Sequence, residues 1–427
     1  MRATDNGHWH TAAAVAPVIS NVRYYDTASR MLKRADIEIR DGMIVGIARP
    51  GSLAVFERVD GSALLCLPGL VNASLPADLA HDDSSATAMV ANDGDRRATR
   101  LGDLLLQAVS SGVTTVGMFG ARVEESLTVA TRVGVRASLY REYTDLWLGP
   151  KPGPVVSDTA ACLRDYEQTA RRFDTTRFVV HPAVGSQLAA STQLLTGLYD
   201  LARKNCRRFV VRVDGGTPWA EAFKDAYGCT GLGLLSSLDI LDENTLIVPA
   251  VPMSFCDRER LRQSPSYIVY PAHEPAGQLA QRDDVACSSN MRRMRIALSW
   301  QGGALPCLTA IGNRSQNERA GDIIDLLTWK GAQALTFSGT GRIAVGQRAD
   351  LLLYDGHPVA DDGDTTTVCA AILDTICRHR PRGVLIDGRR VVSGVFHDHG
   401  RPSPAGHLAL TPLRPRDAGR ASPRQAS

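Results

Sequence analysis

Short apolar runs alternate with amphipathic stretches through the middle of the chain. Eight runs have the length and residue types of strands: Leu64–Asn72, Thr114–Gly120, Arg136–Tyr143, Arg177–Val184, Arg208–Gly215, Thr245–Pro252, Ser266–His273 and Pro306–Asn313. Between them the apolar spacing turns helical. Leu101, Leu104, Leu105 and Ala108 share one face, as do Leu194, Leu195, Leu198 and Leu201, the i, i+3, i+4 signature of a helix with one buried side. Strands and helices alternating in this number predict an α/β fold, a (β/α)8 TIM-like barrel over residues 68–335. An open doubly wound sheet shares the alternation.

The two ends of the chain read as β structure. Ile37–Arg40 alternates, Asp41-Gly42 supplies a tight turn, and Met43–Ile47 returns. The same design recurs late: Asp350–Tyr354 is a strand, and Asp387-Gly388 joins Val384–Ile386 to Arg389–Val392. An Asp-Gly pair between apolar runs is a strong short-range hairpin signal. These segments predict one small β-sandwich domain built from both ends, residues 17–67 and 336–399, after a flexible stretch over 1–16.

Composition narrows the function classes. The 427 residues carry 48 basic and 45 acidic side chains, a net charge of +3, and 44% are hydrophobic. Five Arg and one Asp fall within 400–427, so the rest of the chain is near −1. A nucleic-acid binder concentrates positive charge on its folded body; here the excess lies in a Pro- and Arg-rich tail that reads as disordered. No apolar run approaches the ~18 residues of a membrane span, and Met1–Ser20 does not read as a signal peptide. The nine cysteines include no C-x-x-C pair, which argues for buried free thiols in a reducing cytoplasm and against a zinc ribbon or disulfide framework.

In a barrel of this kind, function sits at the C-terminal ends of the strands. Those ends hold Ser74 and Pro76; Met118 and Phe119; Arg141 and Glu142; His181; Arg212 and Asp214; Pro249 and Pro252; His273; Asn313 and Arg314. Arg212 and Asp214 are two apart on one strand and so face the same side. His8-Trp-His10 and His397-Asp-His399 both have ligand-like spacing, but lie outside the predicted barrel and read as terminal histidines.

Four segments resemble the amidohydrolase superfamily, in its branch of cytosine, guanine and adenosine-type deaminases and triazine chlorohydrolases. They are Leu67-Pro-Gly-Leu-Val-Asn-Ala73, Ser111-Gly-Val-Thr-Thr-Val116, Gly134-Val-Arg-Ala137 and Gly341-Arg-Ile-Ala-Val-Gly-Gln-Arg-Ala-Asp-Leu351. The resemblance covers roughly residues 17 to 395 and implies the barrel with its small β domain. It also implies a divalent metal at the barrel mouth, which generates hydroxide for attack on a C–N or C–Cl carbon. The implied ligands are an H-x-H after the first strand, one His each on strands five and six, and an Asp on strand eight.

Carried over position by position, the H-x-H sites hold Ser74 and Pro76. The fifth-strand site holds Arg212, with Gly215 where an acid follows. The sixth-strand site holds Pro249, with Pro252 at the next His position, and the eighth-strand site holds Arg314, or Asn313 one register earlier. Neither a guanidinium nor a proline ring ligates a metal. The reading is therefore an amidohydrolase-like protein without metal or other cofactor: a pseudoenzyme, ligand-binding protein or partner subunit. Catalytic candidates are His181 and Asp214; ligand-binding candidates are Arg212, Arg314, Asn313, Ser74 and Glu142. The expected partner is a small, anionic molecule held by the arginines, with no nucleic acid and no membrane. Resemblance further implies a homodimer, or a heteromer with an active relative. Two alternatives stay open: a metal-independent enzyme of specialised metabolism in the old pocket, and a hydrolase of non-peptide C–N bonds with relocated ligands.

Overall fold

The computed structural model describes residues 18–53, 58–75, 93–120, 122–149, 153–213, 218–249, 254–272, 295–300, 315–356 and 363–393. The expected flexible start, the tail 400–427, His8, His10, His397 and His399 lie outside the described residues.

The chain opens with β1 (Val18–Asp26), β2 (Met31–Arg40), β3 (Met43–Ala48), β4 (Arg58–Asp60) and β5 (Leu64–Pro68). The barrel strands follow: β6 (Leu70–Asn72), β7 (Val113–Gly120), β8 (Arg136–Glu142), β9 (Phe178–Val184), β10 (Phe209–Val213), β11 (Thr245–Pro249), β12 (Tyr267–Pro271) and β13 (Arg295–Ser299). The chain then returns through β14 (Leu351–Asp355), β15 (Gly383–Ile386) and β16 (Arg389–Ser393).

Strands β6 to β13 form one parallel sheet in sequence order. Its ends meet: the Ala73 amide donates to the Leu298 carbonyl at 2.8 Å, and Asn72 Nδ2 donates to the Trp300 carbonyl at 3.0 Å. This is the expected TIM-like barrel. Alternation along each strand sorts side chains into two populations. Leu139, Val180, Val211 and Ile247 pack outward with the helices, while Val71, Phe119, Tyr140, Val210, Leu246 and Val269 fill the interior.

Two strand boundaries depart from expectation. The run Leu64–Asn72 is two strands, broken at Gly69; its first half belongs to the other sheet. The eighth barrel strand is Arg295–Ser299, not Pro306–Asn313. Arg295-Ile-Ala-Leu-Ser299 is less apolar at its start, and a longer apolar stretch downstream outweighs it when pattern alone is read.

The second sheet runs β16-β15-β14-β5-β1-β2-β3, with β4 beside β1. It is one continuous sheet that closes on itself: Ile44 of β3 donates to Gln347 and accepts from Gly346, on the segment leading into β14. Ile19, Val22, Ile37, Ile44, Cys66 and Leu351 form its separate core. Both hairpin tips adopt left-handed backbone, with φ of 51° and 78° at Asp41-Gly42 and 49° and 67° at Asp387-Gly388. A Cβ on Gly42 would sit 3.0 Å from the Asp387 side chain, so the two tips touch.

The Asp387 tip reaches the N-terminal end of the barrel strands. Arg136, at the start of β8 and 1% exposed, donates to Asp350 at 3.1 Å and to Asp387 at 2.6 Å. Arg177 and Arg348 reach the same Asp387 carboxylate at 2.7 and 3.3 Å. The Asp387 amide donates to Asp350 Oδ1 at 2.8 Å. Burial alone would raise the Asp387 carboxyl; the Arg136 and Arg177 guanidiniums overcome it and hold the group below its ordinary value. Two carboxylates and three guanidiniums thus join the sheet to the barrel floor, each hydrogen-bonded as burial demands.

Candidate functional site

The C-terminal ends of β6 to β13 form a cup. At the first strand, Ser74 is half-buried and its amide donates to Asn72 Oδ1 at 3.3 Å. At the third, Glu142 points inward in step with Ser138 and Tyr140. Its Oε1 would lie 2.1 Å from a Cβ built on Gly185, so the carboxylate rests on the backbone that follows β9. Arg141, one residue earlier, faces out, pairs with Asp165 at 3.2 Å and stacks on Tyr143.

At the fifth strand, Arg212 is half-buried and alternates with the interior Val210. Its guanidinium lies over the Phe119 ring, 4.3 Å from the centroid. Phe119 meets Tyr140 edge-on at 5.1 Å, and Tyr140 lies 6.1 Å from the His181 ring. The interior therefore holds a column of rings that begins deep in the barrel and ends under a cation at the cup.

Tyr140 is locked in this column. Its hydroxyl donates to the Ala73 carbonyl at 2.5 Å. Gly117 makes room for that contact, because a Cβ there would stand 2.2 Å from both the Ala73 oxygen and the Tyr140 hydroxyl. The polar inward series Arg136, Ser138, Tyr140, Glu142 is visible in the sequence as period-two alternation, yet only Glu142 stands out there, because only its position marks a strand end.

His181 sits differently from its expected place at a strand end. It is mid-strand, fully buried, and aimed toward the floor, where the Arg208 amide donates to its Nδ1 at 2.9 Å. With Nδ1 an acceptor, the neutral ring carries its proton on Nε2. Burial, reinforced by Arg207 and Arg208, pushes its pKa down to about 3. The Arg208 side chain caps this end, donating to the Ala334, Gln333 and Glu243 carbonyls.

The structure brings Ser74, Glu142 and Arg212 to the cup and leaves His181 below it. Asn313 and Arg314 do not end the eighth strand as expected, since that strand stops at Ser299; both lie outside the described residues, as do Pro76, Asp214, Gly215, Pro252 and His273. The sixth strand ends at Pro249, short of the expected Pro252, where the proline ring removes a ladder donor. Among the described residues no three His, Cys, Asp or Glu side chains are grouped so as to hold a metal ion.

A closed eight-stranded barrel with a composite sheet at its back, and a cup ringed by strand-end residues, defines an amidohydrolase-type scaffold. The chain belongs to the amidohydrolase family, whose model matches residues 92–391. It is 23% identical over 365 residues to a 5-methylthioadenosine/S-adenosylhomocysteine deaminase of Haloarcula marismortui, covering 76% of this chain and 81% of that one. It is 24% identical over 360 residues to a 5'-deoxyadenosine deaminase of Methanosphaera stadtmanae, covering 77% and 82%. Among solved structures, an atrazine chlorohydrolase from Arthrobacter aurescens complexed with zinc and atraton superimposes with a TM-score of 0.71 at 16% identity, covering 88% of this chain and 95% of that one. An adenosine deaminase from Xanthomonas campestris with bound zinc gives 0.68 at 15%, covering 87% and 92%.

A zinc site needs imidazole, thiolate or carboxylate donors converging on one point. The described side chains of this cup do not fit that requirement. The nearest inward-facing fifth-strand group is Arg212, which carries a positive charge of its own.

Proposed function

We propose that this chain is an amidohydrolase-family protein that has left metal-dependent hydrolysis and uses its cup to hold a small anionic molecule. The supporting observation is Arg212. It occupies the fifth-strand position where the resemblance calls for a metal-ligating imidazole, and its guanidinium lies over the Phe119 ring inside the barrel. A fixed cation there repels a divalent ion and favours a carboxylate or phosphate, to which the planar fork of Arg is matched. Ser74 and Pro249, at the first- and sixth-strand positions, supply no replacement donor set. His181, neutral and tied to the Arg208 amide, serves as a packing and positioning residue.

Elemental analysis of protein purified without added metal tests the first half of the proposal. Zinc and iron well below one equivalent, with no ammonia released from adenosine-type substrates, are expected. Stoichiometric zinc together with deamination overturns it and returns the chain to its relatives' chemistry. Calorimetric titration with inorganic phosphate and small carboxylates tests the second half: binding that disappears in Arg212→Ala is expected, and equal heats in both proteins refute it.

A further inference from the structure

Inside the barrel, below the cup, three polar atoms on neighbouring strands have no hydrogen-bond partner among the described residues: Thr115 Oγ1, Ser138 Oγ and His181 Nε2. All three residues are fully buried. All three face the barrel axis. Thr115 is in step with Gly117 and the interior Phe119 on β7, Ser138 with the interior Tyr140 on β8, and His181 with the interior Val179 and Ala183 on β9. Their strands are consecutive: Gly117 pairs with Ser138 and Tyr140 with His181, so each group lies one pair diagonally from the next.

Natural interiors pair such groups or hydrate them. The groups around this point are committed elsewhere. The Tyr140 hydroxyl is held by Ala73, the Arg136 guanidinium by Asp350 and Asp387, and His181 Nδ1 by the Arg208 amide. The Leu335 backbone lies beside the His181 ring but outside hydrogen-bond geometry to Nε2.

We propose that Thr115, Ser138 and His181 enclose a water-binding site on the barrel axis, sealed from the cup by Tyr140. The donor and acceptor pattern closes. Nε2–H donates to the water, the water donates to one or both hydroxyls, and either hydroxyl proton can return to it. A buried water characteristically has two to four such partners. The site gives His181 a reason to stay neutral with its proton on Nε2, since that tautomer is the one that serves both the Arg208 amide and the water.

A high-resolution crystal structure of the full chain tests this directly. A density peak about 2.6–3.2 Å from at least two of the three atoms is expected. No such peak, with Thr115 and Ser138 turned onto protein carbonyls, overturns the proposal. Oxygen-17 relaxation dispersion gives a second readout in solution. The Thr115→Val/Ser138→Ala protein, with wild-type circular dichroism, is expected to lose at least one long-lived internal water. An unchanged count of such waters refutes the site even if the variant is fully folded.

Discussion

The two ends of the barrel follow opposite rules. At the floor, charges are buried and matched: Arg136 and Asp350 are essentially inaccessible and bonded to each other, and Asp387 collects three guanidiniums. At the cup, charges are half-exposed, and the ring column ends under Arg212. The floor is what joins β14 to β16 to the barrel, and it carries the motifs by which the family resemblance is recognised. The cup is where the strand-end side chains Ser74, Glu142 and Arg212 gather. The comparison separates a region that fixes the architecture from one whose charges remain accessible to a ligand.

The largest expected effect lies at the floor. Arg136→Met leaves Asp350 buried without its cation and should cost about 3–5 kcal/mol, read from the denaturant midpoint. A loss below 1 kcal/mol would mean that the floor is not the clamp described here. Gly117→Ala comes next. The added methyl collides with the Ala73 carbonyl and the Tyr140 hydroxyl, and overpacking of this kind costs about 1–3 kcal/mol. Unchanged stability would show that the ring column has slack.

The third concerns pH. His181 titrates near 6.5 when unfolded and at about 3 in the fold. Its folded value is depressed, so its contribution is complete above pH 6.5 and is lost as pH falls toward 3. In that window unfolding should take up close to one proton on this account, a slope of about 1.4 kcal/mol per pH unit. His181→Gln should remove that component while leaving the Asp387 contribution, which is present above the ordinary carboxylate value and is lost as pH falls through its lowered one. An identical pH profile in the variant would contradict the buried, neutral ring. The smallest expected effect on stability is at the cup. Arg212→Ala removes a partly exposed cation–π contact worth about 0.5–1 kcal/mol, and should abolish phosphate or carboxylate binding. A large loss of stability with intact binding would reverse the distinction between the two ends.

Much of this was legible in the linear sequence. Parallel strands buried on both faces are rich in apolar residues, and seven of the eight barrel strands lie where those runs fall. The Asp-Gly hairpins were plain because their turn demands left-handed backbone. The eighth strand was missed because Arg295–Ser299 is short and starts with a charge, while its partner β12 decides its pairing; that contact is not local. Asn313 and Arg314, expected at that strand's end, lie outside the described residues, and the eighth strand ends at Ser299. His181 was assigned to the rim because a histidine near a strand end invites that reading. Its partner, a backbone amide at the opposite end of the next strand, leaves no mark in the residue pattern. The Thr115–Ser138–His181 grouping could be found only from strand register.

The strand β5 has a consequence for how the molecule is made. It pairs with β1 on one side and with β14 on the other, and β14 is encoded after the entire barrel. As the chain leaves the ribosome, the Leu64–Pro68 edge must wait, with open backbone groups, until nearly all of the remaining protein has been translated. An unguarded edge is a template for mispairing with other chains. Premature termination before Leu351 would leave every product with that edge exposed, so full-length synthesis is the condition under which the N-terminal segment becomes safe from aggregation.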